Sequence, residues 1–318
     1  MNPDYVLYVL DQTDETLRTV IIEDFHRMHA ICYRELANMA ARRFGVPGCD
    51  GKTEVVALSL FLDHPRVFEF AWAIYSYTAS YANISQHWLQ RHYARTGHET
   101  AANLEAELQS YFAAQGRGDE CRLHVYDEPD ELVISVLHGS HLRTIACLVG
   151  HEVTVNQFRL ACEDVLIYDK PRALLSVKVS TPRDREYYVH CFARLILGDE
   201  ALADHPERDQ VYTLQPLQTD GLRWATDGKV IGLEMVKGTM KPHEPGHPVL
   251  IVEGDKQDWL DPSRGQLVEA KLRFTITEDD REKKVTFNIH PPCVTDLVKK
   301  RHADVISDCL REKGVLQR

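Results

Sequence analysis

The chain has few of the short motifs that assign a chemistry on sight. Neither a G-x-S-x-G nucleophile elbow nor a dinucleotide-binding glycine fingerprint occurs in its 318 residues. Eight cysteines are scattered without one C-x-x-C pair, which argues against a zinc ribbon or a dithiol redox centre and suits reduced thiols in a cytoplasmic protein. There is no basic excess: the formal net charge is −11, so the surface as a whole is not built for nucleic acid. A basic secretory start is missing from Met1-Asn2-Pro3-Asp4-Tyr5. Nor is there a clean membrane span. Phe70 to Gln90 carries no Asp, Glu, Lys or Arg, but Ser76, Thr78, Ser80, Asn83, Ser85, Gln86 and His87 interrupt it, so a core helix is expected instead.

What is present is a soluble globular composition, 44% hydrophobic and 27% charged, with a change of pattern at Gln115-Gly116-Arg117-Gly118-Asp119-Glu120. Before that joint apolar residues recur at helical spacing. A long helix is expected from near Thr13 to Phe44, with Leu17, Ile21, Phe25, Met28, Cys32, Leu36 and Met39 as its stripe and Gly45 and Pro47 as its stop. Shorter helices are expected from Thr53, from Pro65 through the uncharged segment, and from Asn103 to Ala114.

After the joint apolar residues alternate. Strands are expected at 122–126, 131–137, 142–149, 153–158, 164–168 and 173–179, then a helix capped by Ser180 or Thr181 and closed by Gly198. The order then repeats, with strands near 211–214, 230–236, 249–252, 268–277 and 284–290 before a last helix over 294–313. The expected fold is therefore α+β: a helical domain over 1–115, then a mainly antiparallel sheet domain with two packed helices over 119–318, in two similar halves at about 119–198 and 199–318.

Candidate chemistry is thin. Gly48-Cys49-Asp50-Gly51-Lys52-Thr53 has Val46 where a phosphate loop needs its first glycine. Glu269-Ala270-Lys271 on a strand matches the Glu-x-Lys of restriction-type nucleases, with Asp261, Asp255 or Asp258 upstream as a second carboxylate for Mg²⁺. Against this, Val268, Ala270, Leu272, Phe274 and Ile276 form an inward face, which leaves Glu269 and Lys271 on a solvent face. Lys271 and Arg273, with Lys284 across a hairpin and Lys299, Lys300 and Arg301 beyond it, compose a candidate phosphate-contacting surface. The histidines, including His243 and His247 in a proline-stiffened loop, lack the four convergent ligands of a structural zinc site. Aromatics of the uncharged segment, Trp72, Tyr75, Tyr81 and Trp88, offer a partner-binding face.

These features favour a cytoplasmic, non-catalytic binding or assembly subunit of a bacterial multi-protein system, of the kind found in antiviral defence. It would need no cofactor and would act on a protein partner rather than a membrane. The alternative is a Mg²⁺-dependent nuclease or nucleic-acid-processing subunit using Glu269, Lys271 and Asp261.

Overall fold

The computed structural model describes residues 14–48, 50–79, 84–90, 97–149, 152–219, 229–244, 246–253, 260–278 and 281–317. The chain divides into two compact units, Met1–Ser80 and Tyr81–Arg318. The mixed α+β class expected from the sequence is the one observed, with a large antiparallel sheet flanked by helices.

The first unit contains α1 (Glu15–Ile31), α2 (Leu36–Arg43), α3 (Thr53–Asp63) and α4 (Pro65–Ala79). The single long helix expected over 13–44 is broken. Arg34 and Glu35 take φ of 52° and 57°, and two left-handed residues in succession cannot continue a right-handed helix. After this break α2 turns Leu36, Ala37, Ala40 and Ala41 into the core beside Leu60, Phe68 and Phe70. Leu17 and Phe25, at the other end of the same stripe, stay exposed. Gly45 ends α2 in the left-handed region at φ 66°, as its position beyond the last helical turn suggests.

The second unit carries a ten-stranded sheet and a separate two-stranded ribbon. Its strands are β1 (Ile84–Trp88), β2 (Cys121–Asp127), β3 (Glu131–Gly139), β4 (Arg143–Val149), β5 (Glu152–Phe158), β6 (Ala161–Asp169), β7 (Leu174–Lys178), β8 (Val230–Pro242), β9 (Leu250–Glu253), β10 (Gly265–Glu278), β11 (Arg281–His290) and β12 (Val294–Thr295). The sheet order is β2-β3-β6-β7-β1-β12-β11-β10-β8-β9. Helices α5 (His98–Ala114), α6 (Pro182–Cys191), α7 (Gln215–Thr219) and α8 (Ala303–Glu312) complete the unit.

The central strand corrects the sequence reading most. Among the described residues the helix of the uncharged segment reaches Ala79, and Ile84–Trp88 forms β1, paired with β7 on one side and β12 on the other. All five residues of β1 are buried. A strand covered on both faces shows no alternation of apolar and polar residues, so period-2 reasoning had nothing to detect.

The two halves of the sheet build their cores on opposite faces. His87 pairs with Leu175 and Trp88 with Leu174, and successive side chains of a strand point to opposite sides. Leu175 belongs to a core with Leu104, Leu108 and Phe112 of α5 and Tyr188 and Val189 of α6. Leu174 and Trp88 belong to the other core, with Phe274, Phe287, Ile306 and Leu310. Thr181 caps α6 by accepting from the Asp184 amide, as expected, and Gly198 ends the following turns at φ 69°.

Further corrections fall in the second half. The expected strand at 211–214 amounts to one isolated bridge between Tyr212 and Leu316. The expected final helix over 294–313 is instead β12, a 3-10 turn at Leu297–Lys299 and then α8, which starts after His302 at φ 63°. In β10 the register slips between Leu267 and Glu269, so Leu267 rather than Val268 is fully buried. A bulge of this kind adds one residue and flips the alternation on one side of it.

Candidate functional site

The open face of the β8–β11 half gathers part of the expected polar set. Register places Lys271 opposite Asn288, Arg273 opposite Thr286 and Thr275 opposite Lys284, so all six share one side. The remaining basic residues do not join them. Lys299 is buried, and that burial lowers its pKa. Lys300 pairs with Asp296 at 3.1 Å and Arg301 with Glu278 at 3.1 Å. Glu278 stands opposite Arg281, on the other face from Lys271. The two aromatics of the hairpin, Phe274 and Phe287, also point away into the core, so neither offers bases a stacking platform beside Lys271 and Arg273.

Glu269 and Lys271 do share that open face, with Glu269 accepting a 3.1 Å hydrogen bond from Thr239 Oγ1 and lying 3.8 Å from His290 Nε2. Asp261 instead caps a 3-10 turn by accepting from the Ser263 amide at 2.8 Å, which holds its carboxyl below the usual range. Asp255 and Asp258 lie outside the described residues.

Of the expected aromatic surface, Trp72 and Tyr75 stack at 5.4 Å and are half-buried, and Arg27 lies over Trp72 at 5.0 Å. Trp88 is buried in the sheet core and presents nothing to a partner, and Tyr81 lies outside the described residues.

His243-Glu244-Pro245-Gly246-His247 has the letters of the zinc-peptidase H-E-x-x-H, an identity the loop reading passed over. That motif works on a helix, where the two histidines share a face one turn apart. Here the histidines lie outside any helix, His243 Nε2 is bonded to the Pro262 carbonyl at 2.8 Å, and His247 Nε2 lies 2.9 Å from Glu244.

A constellation that sequence reasoning missed lies beside β1. His87 Nδ1–H donates to Asp209 Oδ1 at 2.6 Å, and His87 Nε2 faces Ser85 Oγ at 2.9 Å. This tautomer is assigned from the hydrogen-bond partners. Arg208 donates to Asp209 through Nε and Nη2, and to Glu186 through Nη2. Burial lowers the His87 pKa despite the carboxylate next to it, so the ring stays neutral. Hydrogen bonds from His87 and Arg208 outweigh burial at Asp209 and hold its carboxyl far below the ordinary value.

Two catalytic readings of this cluster fail on geometry. Ser85, His87 and Asp209 stand in nucleophile–base–carboxylate order, but Ser85 and His87 are both buried, so no carbonyl reaches the hydroxyl. His87, Asp209 and Cys293 also bring three metal-type donor atoms within 4.8 Å of one another. However, both ring nitrogens of His87 are engaged, and a cation there would sit against the Arg208 guanidinium. The cluster is a buried polar relay joining β1 to the 205–212 segment. Its only sequence signal is Ser85-x-His87, two polar residues spaced for one strand face.

A different feature faces outward. Among the described residues β4 and β5 pair only with each other, and register sets Ala146 opposite Val155 and Leu148 opposite Val153 on one side of the ribbon. Leu148, Val153 and Val155 are 73%, 69% and 62% exposed. A lone two-stranded hairpin is marginally stable in water, and exposed apolar residues clustered on one of its faces mark a contact surface.

Comparison with known protein families and with curated proteins finds no match for this chain. Among the described residues no helix is long and apolar enough to cross a membrane.

Proposed function

We propose that the chain is a non-catalytic binding or assembly subunit whose β4–β5 arm docks a protein partner. The observation that carries this reading is the exposed apolar side of the arm, formed by Ala146, Leu148, Val153 and Val155. Among the described residues both outer edges of the arm are also unpaired, which suits strand addition by a partner. Helix α3 adds a second apolar stripe, Val55, Leu58 and Leu62, exposed at the spacing of one helical face. A cytoplasmic location and a place in a bacterial multi-protein system belong to the same proposal.

The test is affinity purification from the native host with nuclease treatment, comparing the natural chain with Leu148→Ser/Val153→Ser. The expected result is a stoichiometric protein companion that the double variant loses while its circular dichroism and unfolding midpoint hold. A companion retained by the variant overturns the role of the arm, and companionship with nucleic acid alone overturns the protein-partner reading.

A further inference from the structure

A cavity of about 490 Å³ opens at the root of the arm. Its walls are the turn after α5 (Arg117 to Cys121), the end of β3 (Leu137 to Gly139) and the chain entering β6 (Arg159 to Ala161). The volume falls in the range of small-ligand sites, which bury most of a ligand against apolar walls with a few placed polar groups.

The backbone closes tightly there. A Cβ on Gly139 would stand 2.4 Å from the Arg117 carbonyl oxygen, so the two chain segments touch with no side chain between them. His138 is buried at the cavity floor, its Nε2 3.0 Å from Asp164 Oδ2 and its Nδ1 2.9 Å from the Gly139 carbonyl oxygen. Leu137 and Leu160 give the walls two partly exposed apolar side chains.

The charged groups decide the ligand. Arg117 is committed: it pairs with Asp184 at 2.9 Å and lies over the Phe112 ring at 4.6 Å. Among the described residues Arg159 bonds only through Nη1, to the carbonyls of Gly116 and Ser140, which leaves Nε and Nη2 without a partner there. Arg122 makes no hydrogen bond or ion pair among the described residues. Two guanidinium groups with spare donors beside one cavity match a dianion better than a single carboxylate, because each planar fork takes two oxygens. Asp119 and Glu120 sit exposed at the rim, where they can accept from hydroxyl or amino groups of the same ligand.

We infer that this cavity binds a phosphate monoester carried on an apolar body of about mononucleotide size, with Arg122 and Arg159 on the phosphate and Leu137 and Leu160 against the body. The site stands apart from the partner-binding reading and holds whether or not the arm docks a protein.

The test is calorimetric titration of the full chain with phenyl phosphate, adenosine 5′-monophosphate, inorganic phosphate and adenosine. At least one of the two monoesters binds with a Kd near or below about 1 mM, and inorganic phosphate and adenosine each bind about tenfold or more weakly. Arg122→Gln weakens the monoester about tenfold, as loss of one charged fork requires. Arg159→Gln does the same, but it also removes the bonds to Gly116 and Ser140, so Arg122→Gln is the cleaner variant. Arg183→Gln, outside this cavity, leaves binding unchanged. No binding by either monoester, or binding that Arg122→Gln leaves intact, overturns the inference.

Discussion

His87 and Asp209, separated by 122 positions, meet at 2.6 Å and bind the central strand to the segment that runs past it. Both groups hold protons less readily in the folded chain than in the unfolded one. Burial lowers the His87 pKa from its ordinary 6.5, so its contribution to stability is complete above that pH and is lost as pH falls below it. Hydrogen bonds from His87 and Arg208 lower the Asp209 pKa from 3.8, so its contribution disappears on further acidification below that value. The unfolding midpoint in urea should fall between pH 7 and pH 5, and the fall should shrink in His87→Gln. An equal fall in the variant would assign the effect to other groups.

The relay also shows why parts of this molecule were legible in the sequence and others not. The strands between Cys121 and Lys178 are apolar, β-branched runs set off by turn residues, and their boundaries were readable to within a few residues even though β3 and β7 are buried along most of their length. The thirteen residues of β8 and the fourteen of β10 were found but shortened, since bulges interrupt their alternation. β1 was misread as helix because its neighbours bury it from both sides. The site was harder still. Ser85 and His87 are close in sequence, but Asp209, Arg208 and Cys293 reach them only through the sheet order, which no local pattern encodes. The placement of the basic residues was half legible: cross-strand pairing puts Lys271, Arg273 and Lys284 on one side of the sheet, as the alternation suggests, whereas the burial of Lys299 depends on a 3-10 turn in place of the expected helix.

Thiol chemistry gives a second prediction. Burial pushes Cys121 up to about 12 and Cys191 and Cys293 up to about 11. At pH 8 these three hold almost no thiolate, the species that reacts with iodoacetamide. Cys147, half-exposed on the arm, should be alkylated in the native protein well before them. Mass spectrometry of peptides labelled with and without denaturant checks the order. Early labelling of Cys293 would mean that the buried relay opens under native conditions.

Gly139 supplies a third. The position needs no left-handed backbone, so any penalty for a side chain there is steric. A methyl group at 2.4 Å from the Arg117 carbonyl forces main chain apart at the end of β3. Gly139→Ala should lose about 1–3 kcal/mol, the usual range for overpacking against atoms that cannot swing away. Gly51→Ala is the control, since its nearest neighbour would stand at an ordinary 3.6 Å. Equal stabilities of the two variants in denaturant titrations would show that the turn after α5 yields freely.

The last prediction separates binding from catalysis. Lys271 is exposed and has no ion pair among the described residues, so Lys271→Ala should change stability by no more than about 0.5 kcal/mol. Glu269→Ala removes the bond from Thr239 and the approach of His290, a partly exposed pair of contacts costing about 0.5–1.5 kcal/mol. Both variants should stay folded and retain the protein partner. The natural chain, incubated with single- and double-stranded DNA and RNA in Mg²⁺ or Mn²⁺, should show no cleavage above a metal-free control. Cleavage that needs the metal and vanishes in both folded variants would replace the assembly reading with the nuclease one. It would also require a second carboxylate to converge on Glu269, because Asp261 is already committed to the Ser263 amide.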